Sequence, residues 1–143
     1  MDFYNENEKR KIIMDYYMNK RNRVDHFQND EYEKVYIHSS SCVDEINFYF
    51  KNDFSDFKMV MNGCAIFLSS CEIFVELVQK KGIENKDKLI DLFRKLVDKK
   101  EKLTNQDKEF LEKLNVYENV NKHLNRKECA LLITQVFEEI NHF

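Results

Sequence analysis

The chain has 143 residues, with 23 basic against 26 acidic side chains and a formal net charge of -3. That length suits one domain, 1–143, with a sizeable core. No basic patch interleaves with aromatics, so a nucleic-acid partner is not expected. No long apolar run or signal-like start appears, so the expected setting is cytoplasmic, with no membrane partner. Four cysteines in that setting serve metal or thiol chemistry more often than disulfides.

In chain order, Glu6 to about Asn19 has helical periodicity, with Ile12, Ile13 and Tyr16 on one face and Lys9, Arg10 and Asp15 outside it. The bases of Lys20-Arg21-Asn22-Arg23 read first as a solvated helix end, with a docking patch for an acidic partner as the alternative. Glu33 to His38 alternates as a strand does, and Ser39 to Asp44 is a polar loop. Glu45 to Lys51 is the clearest strand, with Ile46, Phe48 and Phe50 on one face. Asn52-Asp53 marks a hairpin turn, and Phe54 to Met61 a third strand. The rest reads as helical. Ala65 to about Lys80 is the central buried helix, ended by Gly82. Asn85 is placed to cap Lys86 to Lys100, and Thr104 with Asp107 to form a capping pair before Phe110 and Leu111. Asn125 is placed to cap a last helix. The expected class is α+β: a three-stranded antiparallel meander packed against helices, with a helical C-terminal half.

The meander brings candidate residues together. The link between its first two strands and the exit of its third lie at one end of the sheet. Cys42 and Asp44 are on that link, and Cys64 is on that exit. Gly63 permits an unusual backbone at the strand-to-helix junction, and Cys64 is expected in the first turn of the helix, where free N–H groups favour a thiolate. Cys129 is expected in the first turn of the last helix. Cys71 falls on an apolar helix face and reads as core packing. His38 lies near the site in sequence terms, while His26, His123 and His142 read as surface residues. None of the four histidines is expected to be a ligand.

With these residues in view, the chain resembles the NifU-like N-terminal family of iron–sulfur cluster assembly proteins, the IscU and SufU type. The resemblance spans nearly the whole chain. It rests on Met14-Asp15-Tyr16-Tyr17-Met18-Asn19-Lys20-Arg21-Asn22-Arg23, on Cys42-Val43-Asp44-Glu45-Ile46, on Met61-Asn62-Gly63-Cys64-Ala65-Ile66 and on Cys129-Ala130-Leu131-Leu132. Glu128 stands where IscU-type members have a histidine, and Arg126 matches an arginine of the SufU type, so the SufU branch is favoured. The chain departs from the family pattern at Val43, Met61, Tyr16, Lys20 and Val24. Cys71 stands where the family has a small residue.

The resemblance implies a bound zinc held by Cys42, Asp44, Cys64 and Cys129, and sulfur acceptance from a cysteine desulfurase. The same three cysteines would hold a [2Fe–2S] cluster if the chain is instead a scaffold that assembles and transfers one. A third reading is a regulatory module that binds the desulfurase without sulfur chemistry. Whether the chain is an enzyme, a zinc-dependent sulfurtransferase, stays open among these. Recipient apo iron–sulfur proteins are the expected downstream partners. Cys42, on a loop, is the expected sulfur acceptor, because Cys64 and Cys129 are anchored at helix starts. Arg126 reads either as support for a released thiolate or as an ordinary surface arginine.

Overall fold

The structure is a computed structural model and describes residues 3–40, 42–120 and 124–140. Helix α1 (Glu6–Met18) precedes strands β1 (Tyr32–His38), β2 (Glu45–Lys51) and β3 (Phe57–Asn62). Helices α2 (Ala65–Lys81), α3 (Lys86–Asp98), α4 (Asn105–Leu111) and α5 (Leu124–Ile140) follow. A short 3-10 segment precedes α3, and another, Glu112–Tyr117, follows α4. The sheet is an antiparallel meander in the order β1-β2-β3, as the alternation predicts. His38 pairs with Glu45, and Glu45 with Asn62, so the β1–β2 link and the β3 exit meet at one edge.

Alternation decides the inner face. Val35, Ile46, Phe48, Phe50, Phe57 and Met59 are buried there. Phe137 of α5 joins the two layers, with its ring centroid 5.2 Å from Phe48 and 5.2 Å from Phe74 of α2. Helix α2 packs on both α1 and α5, and so forms the middle of the helical layer. Among the described residues no helix is long and apolar enough to cross a membrane.

Several boundaries differ from the sequence expectation, each for a local reason. β3 begins at Phe57 rather than Phe54, because the chain turns through Phe54 at a φ of 58° and cannot yet pair. α3 stops at Asp98, where Lys99 adopts the left-handed conformation. Asn85 stands at the N-cap of α3 as expected, but its side chain makes no cap hydrogen bond and donates instead to Lys81 O at the end of α2. Asn125 is not a cap, since α5 already includes Leu124. Thr104 and Asp107 do form the expected capping box, and Asn5 with Glu8 forms another at the start of α1. His123 and His142 lie outside the described residues.

The largest correction concerns the bases after α1. Arg23 is buried, not solvated, and its Nε lies 3.0 Å from Glu72 Oε2. Its guanidinium also donates to Tyr16 O and Tyr17 O, the open carbonyls at the end of α1. Glu72 is 0% exposed and accepts from the backbone N–H groups of Arg21 and Asn22 as well. The segment then runs beside β3, with Val24 N donating to Met59 O and Met59 N to Asn22 O, which covers that sheet edge. One buried ion pair therefore holds α1, the edge of β3 and α2 together. Glu72→Ala leaves the buried Arg23 charge without its carboxylate and two N–H groups unmatched, and is expected to cost about 3–5 kcal/mol in urea unfolding. A loss near zero would mean that the pair does not tie these elements.

Candidate metal centre

The centre lies where the β1–β2 link faces the start of α2. The link is short and tied at both ends. Ser39 N donates to Asp44 O at 2.9 Å, and Cys42 N donates to the Ser39 hydroxyl at 3.3 Å. This directs Asp44 inward, where it is 1% exposed, while Val43 between the two site residues is 83% exposed. Val43 therefore stays out of the core, its side chain open to solvent at the edge of the cleft over the site.

Asp44 joins the link to the helix. Its Oδ1 accepts from Cys64 N at 3.0 Å, and its Oδ2 lies 3.9 Å from Cys64 Sγ. Cys64 is the N-cap residue of α2 and not part of its first turn, and it is exposed. Its carbonyl accepts the first helical hydrogen bond, from Leu68 N. Gly63 is required here by space as well as by its positive φ. A Cβ at this position would run into Asp44 Oδ1 and the Phe67 ring.

Cys129 arrives from the other side. It is the sixth residue of α5, beyond the first turn, and it is buried. The helix terminus that the sequence expectation invoked to favour its thiolate is thus out of reach. Its Sγ lies 3.7 Å from Cys42 Sγ, with Cys42 half-buried. One donor atom each from Cys42, Asp44 and Cys129 fall within 4.8 Å of one another. Cys64 joins this group through Asp44.

The donors suit a small thiophilic cation. Two thiolates on one tetrahedral zinc at about 2.3 Å stand about 3.8 Å apart, and the Cys42 and Cys129 sulfurs are 3.7 Å apart. The remaining donor types, a carboxylate and a third thiol, complete a set that zinc accepts.

The other sequence candidates separate clearly. Cys71 is sealed in the core, as expected. His38 is exposed, and its Nδ1 lies 3.2 Å from the neighbouring Ser39 O, so it takes no part. His26 is exposed. Arg126 is exposed and lines a cleft of about 810 Å³ over the thiols. The opposite wall of that cleft is α1, with Lys9, Arg10, Ile13 and Met14. Lys9 is buried, contrary to the outward face expected for it, and it pairs with Glu6. The signal was present in the spacing, because Lys9 stands three, four and seven residues before Ile12, Ile13 and Tyr16 on the same helical stripe.

Residues 8–130 match the family model of the NifU-like N terminal domain. The chain belongs to that family. Three solved structures share its fold. A crystal structure of a hypothetical protein, at 22% identity and a TM-score of 0.81, matches 97% of this chain and 100% of that one. A candidate iron–sulfur cluster assembly scaffold protein for the SUF system from the thermophile Fervidobacterium islandicum AW-1 matches at 23% identity and a TM-score of 0.73, over 90% of this chain and 93% of that one. A nitrogen-fixing NifU-like protein (N-terminal) from Brucella abortus matches at 17% identity and a TM-score of 0.74, over 96% of each chain. None of the curated proteins compared matches the chain. In this NifU-like chain the second cysteine motif is therefore seated at a helix N-cap, and the third one turn deeper in its helix.

Electrostatics inside the site favour a protonated Cys129 when no cation is present. Burial pushes the Cys129 thiol well above its ordinary range, and the neighbouring Asp44, Cys64 and Cys42 push it further. Cys71 is raised as well, first by burial and then by Glu72 and Asp44. Both thiols keep their protons in the folded metal-free chain at pH values where the unfolded chain, with an ordinary thiol pKa of 9.0, has lost them. The stabilisation is complete below that value and is lost as the pH rises above it. The urea midpoint of metal-free protein is expected to fall between about pH 8 and about pH 10, and less so in Cys129→Ser. A profile in Cys129→Ser as steep as that of the parent would contradict this assignment. Gly63→Ala is expected to displace Asp44 and destabilise the protein by about 1–3 kcal/mol, with lower metal content by elemental analysis. Normal metal content in that variant would mean that Asp44 needs no such space.

Proposed function

We propose that this NifU-like chain is an iron–sulfur cluster assembly protein of the SufU type. In this reading it holds zinc with Cys42, Asp44, Cys64 and Cys129 and accepts persulfide sulfur from a cysteine desulfurase. The observation that carries the reading is the meeting of Cys42, Asp44 and Cys129 from two distant parts of the chain within 4.8 Å, beside a cleft open to a donor. Cys64 supplies the fourth ligand in this scheme, since its N-cap position leaves the side chain exposed and able to turn toward the other three.

Bound zinc would keep the ligating thiols deprotonated at neutral pH, against the local preference for protonation at Cys129. The protein's own residues do the rest. Asp44 is fixed by the Cys64 N–H and holds the β1–β2 link against α2. Cys129 is buried and anchored in α5. Cys42 is half-buried on the link and lines the cleft. It is therefore the thiolate proposed to attack the terminal sulfur of the desulfurase persulfide, forming a new S–S bond while the desulfurase cysteine leaves as a thiolate. Arg126 also lines the cleft and can steady the negative charge there.

The second reading is a scaffold for a [2Fe–2S] cluster, which three thiolates also suit. Its support is the family together with the SUF-system neighbour from F. islandicum, described as a candidate scaffold. Protein purified without added metal is expected to contain one zinc per chain. After one desulfurase turnover, mass spectrometry should find an extra sulfur on Cys42, and Cys42→Ala should accept none. Extra sulfur on Cys64, the most exposed of the three thiols, with Cys42 unmodified would move the acceptor role to the helix cap. A stable visible chromophore after anaerobic reconstitution, without sulfur acceptance, would favour the scaffold.

A further inference from the structure

The cleft over the thiols carries a charge pattern that metal binding does not explain and that sulfur acceptance explains only at Arg126. Its volume of about 810 Å³ lies in the range of small-ligand sites. Of the arginines in the chain, Arg21 is held by Asp15 and the Tyr16 ring, Arg23 by Glu72, and Arg94 by Thr134 and Glu138. Arg10 and Arg126 make no hydrogen bond or ion pair among the described residues, and both line this cleft, one from α1 and one from α5. The two carboxylates on the cleft wall are already engaged. Glu6 is 3.3 Å from Lys9 Nζ, and Asp44 accepts from Cys64 N. The cleft thus brings together two unmatched guanidiniums, the Cys42, Cys64 and Cys129 thiols and the apolar side chains of Ile13, Ile66 and Val116. A planar guanidinium suits a carboxylate better than any other common anion except phosphate. A ligand that satisfies both kinds of group carries carboxylate for the guanidiniums and sulfur for the thiols.

We propose that the cleft is a docking subsite for a low-molecular-weight thiol bearing carboxylates, of cysteine to tripeptide size, which collects the sulfur held on Cys42. The proposal rests on the reading that Cys42 receives persulfide. The small thiol, as its thiolate, attacks the outer sulfur of the Cys42 persulfide. A new S–S bond forms between the small thiol and that outer sulfur, which keeps its proton. The bond from Cys42 Sγ to the outer sulfur breaks, and its electron pair stays on Cys42 Sγ as a thiolate. Sulfur passes at the zero-valent level, so no external oxidant or reductant is consumed. Arg10 and Arg126 hold the carboxylates and so orient the attacking sulfur toward the cleft floor.

Two measurements on the zinc-loaded full chain test this. The first is calorimetric titration with S-methylglutathione, which has two carboxylates and no free thiol. Saturable binding is expected, weakened roughly tenfold by Arg10→Gln or by Arg126→Gln, with zinc content unchanged in Arg10→Gln. The second uses protein carrying persulfide on Cys42. Its discharge by glutathione should saturate with thiol concentration, and discharge by cysteamine, which lacks a carboxylate, should stay linear. Arg10→Gln should make the glutathione curve linear too. No binding of S-methylglutathione up to about 10 mM, or binding indifferent to both arginines, would overturn the subsite. If S-methylglutathione binds as expected but Cys42 never carries persulfide, the sulfur-acceptor reading fails and takes the collection step with it, while the docking of carboxylates stands.

Discussion

The centre depends on one buried carboxylate. Asp44 is held by the Cys64 N–H at the start of α2, and its own backbone carbonyl closes the β1–β2 link through Ser39. A buried carboxylate without partners would be strongly disfavoured, so the tie to the helix is what permits Asp44 to sit among thiols. Gly63 leaves the space that the carboxylate occupies. Cys42 follows from this arrangement, because a link fixed at Ser39 and Asp44 must carry the residue two before Asp44 toward α5 and Cys129.

A second buried interaction, Arg23 with Glu72, holds the wall opposite. It binds the end of α1 to the middle of α2 and to the edge of β3. That tie, together with the buried Tyr16 and its bond from Lys113 Nζ, sets α1 as the wall of the cleft that carries Lys9 and Arg10. The two buried acids do complementary work. Asp44 assembles the donors, and Glu72 positions the helix that shapes access to them.

The charge balance inside the centre gives its chemistry a direction. Burial and the neighbouring Asp44, Cys64 and Cys42 oppose ionisation of the Cys129 thiol. A bound cation reverses that preference, so metal binding and thiolate formation are one event. The cleft beside it has the opposite character, since its unmatched groups are guanidiniums. Thiols and a carboxylate lie beside two exposed arginines, and the proposed roles of the site, a cation among the donors and an anion in the cleft, rest on that contrast.

The sequence by itself determined the class of fold and the meeting of the motifs. Strict alternation in Glu45–Lys51 defines a strand whatever its neighbours, and a meander of three strands must return the third exit to the first link. Cys42, Asp44 and Cys64 were therefore legible as one edge, and the family motifs added Cys129. What sequence could not decide was depth and direction. Helical periodicity gives a face but not its partner, so Lys9 and Arg23 read as solvated although both are buried, Arg23 against Glu72 of α2. Residue type near a predicted helix start does not fix the first turn, so Cys64 became a cap and Cys129 a buried residue one turn further in. The ion pair at Glu72 and the space at Gly63 arise between segments far apart in the chain, and only tertiary packing could bring them together.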